Sequence, residues 1–212
     1  MHNAAARLTG LYAITDAGLQ PDEQLEENVA LAIEGGANII QYRDKSGNRR
    51  LQLQQARTLA ALCDRHNVPL IVNDDTRLAA DCGAAGVHLG QDDTDLASAR
   101  KLLGDDAIIG ISCYNRPELA ARAVEQGADY IAFGRFFASG TKPDAIQATP
   151  GLITGSKQRW GIPVAAIGGI TPDNAGELLD AGADMLAVVR GVFAAADIRQ
   201  ATADFARMFA QE

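Results

Sequence analysis

Gly127-Ala128-Asp129-Tyr130-Ile131-Ala132-Phe133-Gly134 runs from the end of an amphipathic stretch into a short apolar, strand-like run. Its opening recurs as Gly36-Ala37-Asn38, Gly83-Ala84-Ala85 and Gly182-Ala183-Asp184, each time between a helical stretch and the next apolar run. Glycine at that point suits a left-handed helix C-cap. The phrases precede the second, fourth, sixth and eighth runs, a period of two units that matches a closed barrel whose alternate strands fill equivalent layers.

Outward from these phrases, the predicted strands are Leu11 to Thr15, Asn38 to Tyr42, Leu70 to Asn73, Gly86 to Leu89, Ile108 to Ser112, Tyr130 to Phe133, Val164 to Ile167 and Met185 to Val189. Helical spacing marks Glu23 to Ile33, Leu51 to His66, Pro117 to Glu125, Asn174 to Leu179 and Ile198 to Ala210. Short β-branched runs alternating with longer amphipathic ones are the pattern of βα units. The expectation is an α/β fold, a (β/α)₈ TIM barrel, with residues 1–212 as a single domain, since no linker or composition shift divides the chain. An open doubly wound sheet is the alternative, but it normally carries a GxGxxG after the first strand, and this chain has none there. The longest stretch without periodicity, Gly134 to Pro150, is expected to be a mobile lid, with a plain surface loop as its alternative.

Composition narrows the function. With 47% hydrophobic residues the chain can build a core, and no run of about 18 apolar residues predicts a membrane span. Lys plus Arg total 19 against 27 Asp plus Glu, and the net charge of -8 argues against nonspecific binding to nucleic acid or anionic lipid. The single Trp160 and sparse aromatics give no base-stacking platform. Cys63, Cys82 and Cys113 have no metal-like spacing and leave one unpaired, which fits a reducing compartment. The N-terminal residues lack the basic flank and apolar stretch of a signal peptide, so a cytoplasmic location is expected. The partners expected are small molecules; a homo-oligomer is left open.

Polar residues just after barrel strands converge on one mouth, where such folds keep their chemistry. Gln41, Arg43 and Lys45, spaced by two, point to one side of an extended chain. Asn73, Asp74 and Asp75 follow the third strand, and His88, Gln91, Asp92 and Asp93 the fourth. Ser112 ends the fifth, Ser139-Gly140-Thr141-Lys142 lies beyond the sixth, and Gly168-Gly169 and Arg190-Gly191 follow the last two. Those last two loops often hold a phosphate in barrels, although glycine pairs also serve tight turns. Asp74 with Asp93 would cradle Mg²⁺, a hard ion that takes oxygen ligands. Asp75 and Asp92 compete for the role, and solvated loop acids are the plain alternative. Arg43, Lys45 and Lys142, with a divalent metal, would neutralise a departing pyrophosphate; each could equally be a surface ion pair.

Other residues invite sharper readings that compete with bland ones. Lys45 could be a Schiff-base nucleophile, which would leave the paired acids unexplained. His88 ends a buried strand and reads first as a packed, hydrogen-bonded histidine. His66 reads as a partner of a helix C-terminus. Cys113 has no histidine placed to activate it and reads as structural.

Taken together, Gln41-Tyr42-Arg43-Asp44-Lys45, Val72-Asn73-Asp74, Gly86-Val87-His88-Leu89-Gly90-Gln91-Asp92-Asp93, Phe133-Gly134, Thr141-Lys142-Pro143-Asp144 and Ile167-Gly168-Gly169-Ile170 resemble the successive motifs of the thiamine-phosphate synthase family. They stand in the family's order over nearly the whole chain. The resemblance implies a (β/α)₈ barrel that joins hydroxymethylpyrimidine diphosphate to a thiazole phosphate, or its carboxylated form, with Mg²⁺, giving thiamine phosphate and pyrophosphate. It implies that Gln41, Arg43, Lys45, Asn73, Ser112 and Lys142 bind the pyrimidine diphosphate, with Arg43, Lys45, Ser112 and Lys142 catalytic. Asp74 and Asp93 match the metal ligands. Ser139, Thr141, Gly169, Val189 and Arg190 match the thiazole-phosphate site.

The chain also departs from the pattern. The family often reads Asn-Asp-Arg where Asn73-Asp74-Asp75 stands, and an acid where Arg77 stands, as though the charges were exchanged and a local ion pair kept. Ser139 replaces a common threonine and keeps the hydroxyl, while Arg190 replaces a small hydroxyl residue. Rival functions are a thiazole tautomerase, which needs a placed acid or base and no metal and predicts a histidine near the end of the fifth strand, where Cys113, Tyr114 and Asn115 stand, another phosphate-binding barrel isomerase or lyase, and a noncatalytic barrel that binds a phosphate ligand.

Overall fold

The β-branched runs form the strands β1 (Gly10–Ile14), β2 (Ile39–Tyr42), β3 (Leu70–Asn73), β4 (Gly86–Leu89), β5 (Ile108–Tyr114), β6 (Tyr130–Gly134), β7 (Val164–Ile167) and β8 (Met185–Val188). The amphipathic stretches form α1 (Leu25–Glu34), α2 (Arg49–Arg65), α3 (Thr76–Cys82), α4 (Leu96–Leu103), α5 (Pro117–Glu125), α6 (Pro150–Trp160), α7 (Gly176–Asp180), α8 (Arg190–Phe193) and α9 (Ile198–Ala206). The computed structural model describes residues 8–138 and 147–210. Each strand pairs in parallel with the next and β8 returns to β1, so the sheet closes into a barrel and the open-sheet alternative falls.

Both faces of every strand are covered, which is why the strands read as continuous apolar runs. Outward residues such as Leu11, Ile40, Val72 and Phe133 pack in one cluster against the helices. Inward residues such as Tyr12, Ile39, Ile71, Tyr130 and Met185 form a second cluster inside the barrel. The alternation is the period of two that an extended chain imposes.

The repeated glycine phrases work as caps. Gly36, Gly83, Gly127 and Gly182 have φ of 104°, 72°, 85° and 97°, the left-handed region that ends a helix. The third residue of the phrase has a separate task at the bottom of the barrel. Asn38 Oδ1 accepts the backbone N–H of Leu11 at 3.0 Å, Asp129 Oδ2 that of Ile109 at 2.7 Å, and Asp184 Oδ2 that of Val164 at 2.8 Å. Each carboxylate also holds a cation, Arg100 at 2.7 Å on Asp129 and Lys157 at 2.8 Å on Asp184. In the second phrase the position is Ala85, which cannot make this bond.

Several boundaries differ from the periodic reading. The 3-10 turn Asp22–Gln24 precedes α1. Asn174 stays outside α7, because its side chain accepts the N–H of Thr171 at 2.8 Å and donates to the carbonyl of Gly169 at 3.0 Å. The described ends of the Gly134 to Pro150 segment are tied down, which corrects the expectation of a lid over that whole span. Phe136 and Phe137 donate backbone N–H groups to Ile167 and Gly168, and Ala148 donates to Arg135 at 2.8 Å. Phe136 and Ala148 are buried. Ser139, Thr141 and Lys142 lie outside the described residues.

Asp184→Ala leaves the Val164 N–H without its acceptor and is expected to lower stability by about 1–3 kcal/mol, read by denaturant unfolding. Turnover by the folded fraction should not change, since Asp184 lies at the opposite end of β8 from the mouth.

Candidate active site

The C-terminal ends of β1 to β5 bring together the polar residues predicted to meet. Gln41 is buried at the end of β2, inside the barrel, and Arg43 and Lys45 continue upward from it. Arg43 is fixed at two points: its N–H donates to Thr15 Oγ1 at 2.9 Å, and its guanidinium meets Asp16 Oδ2 at 3.1 Å. Lys45 forms an ion pair with Asp74 across the mouth. The loop between them is shaped by Asp44, whose carboxylate accepts the N–H and hydroxyl of Ser46.

Asn73 ends β3 and pairs in register with His88 on β4. Asp74 follows with φ of 64°, a left-handed conformation uncommon for a residue other than glycine, and donates its N–H to the His88 carbonyl at 2.8 Å. This backbone turn directs the Asp74 carboxylate toward the β4 loop. There Asp93 Oδ2 accepts the Gly90 N–H at 2.7 Å. The pKa of Asp93 is raised, first by burial and then by the adjacent Asp74 carboxylate, while the Gly90 N–H and the Lys45 ammonium act the other way. Asp74 and Asp93 therefore share one site. Asp92, the residue before Asp93, is exposed as Asp93 is, but has no such bond to Gly90.

Among the described residues no group of three or more His, Cys, Asp or Glu side chains gathers to hold a metal. Two carboxylates alone suit a hard cation that keeps waters and takes its remaining oxygens from a phosphate-bearing ligand. The donor set therefore fits Mg²⁺ better than a soft or tightly caged ion.

Asp75, the other acid considered for the metal, has a different occupation. It caps α3 by accepting the N–H of Leu78 at 2.7 Å and pairs with Arg49. Arg77 turns away to Asp81 at 3.5 Å. The expected local pair between Asp75 and Arg77 is thus replaced by two others. Arg49 was not singled out from sequence. Asp16 was not either, although it follows β1 at the same mouth and the rule that found the other strand-end residues applies to it.

His88 has its ring inside the barrel. Its pKa is lowered to about 4 by burial, with the Asp74 carboxylate opposing. His66 caps the C-terminus of α2, in keeping with its helix-end reading. Cys113 is buried, its Sγ 3.5 Å from the Ile111 carbonyl and its pKa pushed up to about 12 by burial, so it is no nucleophile. Lys45 is more than half exposed and paired with a carboxylate. That exposure leaves it without the desolvation that activates a Schiff-base amine.

On the far side, Ser112 ends the inward face of β5 and its carbonyl accepts Gln91 Nε2 at 2.7 Å. Gly168 and Gly169 pack against the segment after β6. A Cβ on Gly168 would lie 2.4 Å from that of Arg135, and one on Gly169 2.6 Å from the Ala138 carbonyl oxygen. The glycine pair is thus required by packing, whatever ligand the loop also receives. Val189 and Arg190 open the short helix α8, with Arg190 exposed.

A family model described as thiamine monophosphate synthase matches residues 11–192. The chain is 52% identical over 204 residues to a thiamine-phosphate synthase of Marinobacter nauticus, covering 95% of this chain and 91% of the relative. It is 49% identical over 205 residues to one of Nitrosococcus oceani, covering 97% and 94%. A solved structure described as thiamine phosphate pyrophosphorylase from Pyrococcus furiosus superposes with a TM-score of 0.89 at 35% identity, covering 99% of this chain and 98% of that one. Barrel, mouth and these matches agree: the chain belongs to the thiamine monophosphate synthase family.

Proposed function

We propose that the chain joins 4-amino-2-methyl-5-hydroxymethylpyrimidine diphosphate to a thiazole phosphate, or to its carboxylated form with loss of carbon dioxide, giving thiamine phosphate and pyrophosphate. The observation that carries this reading is the Asp74 and Asp93 pair beside Lys45, at the mouth that also receives Gln41, Arg43, Asn73 and Ser112.

Loss of pyrophosphate from the electron-rich aminopyrimidine breaks a C–O bond and leaves a cation delocalised into the ring. The thiazole nitrogen then donates its electron pair to form the new C–N bond, so no protein nucleophile is needed. What the protein must supply is charge neutralisation and position. Asp74 and Asp93 would hold Mg²⁺, which when bound offsets the negative charge of the diphosphate. Lys45 and Arg43 direct cationic groups to the same oxygens, and by family resemblance Lys142 joins them. Gln41, Asn73 and Ser112 bind and orient the pyrimidine portion. Gly169, Val189 and Arg190 take the thiazole phosphate at the loops after β7 and β8, with Ser139 and Thr141 by resemblance.

A tautomerase would place a histidine at the end of β5 as its acid or base. That position offers Cys113, with its thiol held protonated, and the exposed Tyr114, which favours alkyl transfer over proton transfer.

The direct test is to incubate the purified chain with both heterocyclic phosphates and Mg²⁺ and to measure thiamine phosphate and pyrophosphate. Chelation should abolish turnover and Mg²⁺ restore it. Asp74→Ala and Asp93→Ala should fold and lose about 100-fold or more in rate; normal rates in both would remove the ligand assignment. Asp16→Ala should cost about tenfold, less than Arg43→Ala, because the guanidinium keeps its charge and loses only its fixed direction. Equal rates for Asp16→Ala and the unaltered chain would show that Arg43 needs no such anchor.

A further inference from the structure

Below the mouth, a hydrogen-bonded chain crosses the barrel interior from β2 through β1 and β6 to β4. Gln41 Nε2 donates to the Tyr12 hydroxyl at 2.7 Å, and that hydroxyl lies 2.8 Å from the Tyr130 hydroxyl. The Tyr130 hydroxyl in turn lies 2.9 Å from Nδ1 of His88. Both phenols are fully buried, and burial holds them protonated. Each phenol has one proton to give, and with Gln41 donating to Tyr12 every bond of the chain is made when the protons all run one way and His88 carries its own on Nε2. Gln41 donates to Tyr12, Tyr12 to Tyr130, and Tyr130 to Nδ1 of His88.

Space for this chain comes from Gly110. The register sets Gly110 between His88 on β4 and Tyr130 on β6. A Cβ there would lie 1.9 Å from the Tyr130 ring. With none, the Tyr130 and His88 rings stack across β5, their centroids 5.6 Å apart and their planes 23° from parallel.

We propose that Tyr12, Tyr130 and His88 are positioning residues that lock the Gln41 amide in one orientation, and that the locked amide selects a 4-aminopyrimidine over its 4-oxo counterpart. The inference rests on the functional reading above. With one N–H committed to Tyr12, Gln41 keeps its carbonyl and its second N–H for the ligand. A 4-aminopyrimidine presents an amino donor beside a ring-nitrogen acceptor, which complements that pair. A 4-oxopyrimidine presents a carbonyl beside a ring N–H, the opposite polarity. An unlocked glutamine could flip to suit either edge; one tied through two phenols to a histidine on the far side of the barrel can do so only if both hydroxyls and the imidazole tautomer reverse with it.

The test is calorimetric binding of hydroxymethylpyrimidine diphosphate and its 4-oxo counterpart, with Mg²⁺, to the unaltered chain and to Tyr130→Phe and Tyr12→Phe, each first shown to melt cooperatively. Tyr130→Phe keeps the ring and leaves Gln41 and Tyr12 untouched. The unaltered chain should prefer the amino form by at least about tenfold. That preference should fall by about threefold to tenfold in Tyr130→Phe, and at least as far in Tyr12→Phe. Affinity for thiazole phosphate should not move, as it would if the hydroxyl served only to hold the fold together. If either folded variant keeps the full preference, or the unaltered chain binds both forms equally, the relay is overturned. Thiamine phosphate formation by the unaltered chain is followed in parallel. Its absence together with an intact binding preference would sink the reaction and leave the relay standing.

Discussion

Closing eight parallel strands leaves an interior that only side chains can fill. This chain fills it with aliphatic residues and two phenols, Tyr12 and Tyr130. A buried phenol needs a hydrogen-bond partner, and an unmet one costs about 1–3 kcal/mol. Partners must therefore come from other inward positions, which is where Gln41 and His88 stand. The polar floor of the mouth is thus a consequence of how the barrel is packed, and Gly110 is the position that yields the space.

The charged rim obeys a different balance. The pairs Arg43 with Asp16, Lys45 with Asp74 and Arg49 with Asp75 are all partly exposed. Such pairs contribute about 0–1 kcal/mol each, so they do not hold the fold together. Their weakness suits a site that must exchange one counter-ion for another. Lys45 can leave Asp74 for a diphosphate oxygen at little cost, freeing the carboxylate for a cation. The acidic excess of the whole chain is no obstacle, since Arg43 and Lys45 leave β2 toward the same mouth.

Much of this architecture is legible in the residues alone, because strand and helix periods are local. The strands fall within one or two residues of the β-branched runs, and the four Gly-Ala phrases mark helix ends where only glycine takes a left-handed φ without strain. Cross-barrel partnership is not local. The inward parity of Tyr12 and Tyr130 can be counted from sequence, yet nothing in the count says that their hydroxyls meet 2.8 Å apart. The choice of Asp93 over Asp92 turns on the Gly90 N–H that holds one carboxylate beside Asp74, and Asp75 looks like a metal ligand until its capping bond to Leu78 is seen. The Gly134 to Pro150 stretch reads as one aperiodic loop, because its anchoring bonds run to β7, about thirty residues away from the first of them.

The central claim is that two carboxylates and a cationic rim form one receptor for a metal-bound diphosphate. Calorimetric titration of pyrophosphate into the chain, with and without Mg²⁺, tests it most directly. The account predicts that each ligand strengthens the binding of the other, and that Asp93→Ala abolishes this mutual effect while leaving weak metal-free binding in place. Pyrophosphate that binds equally well with and without Mg²⁺, or a mutual effect that survives in Asp93→Ala, would contradict it.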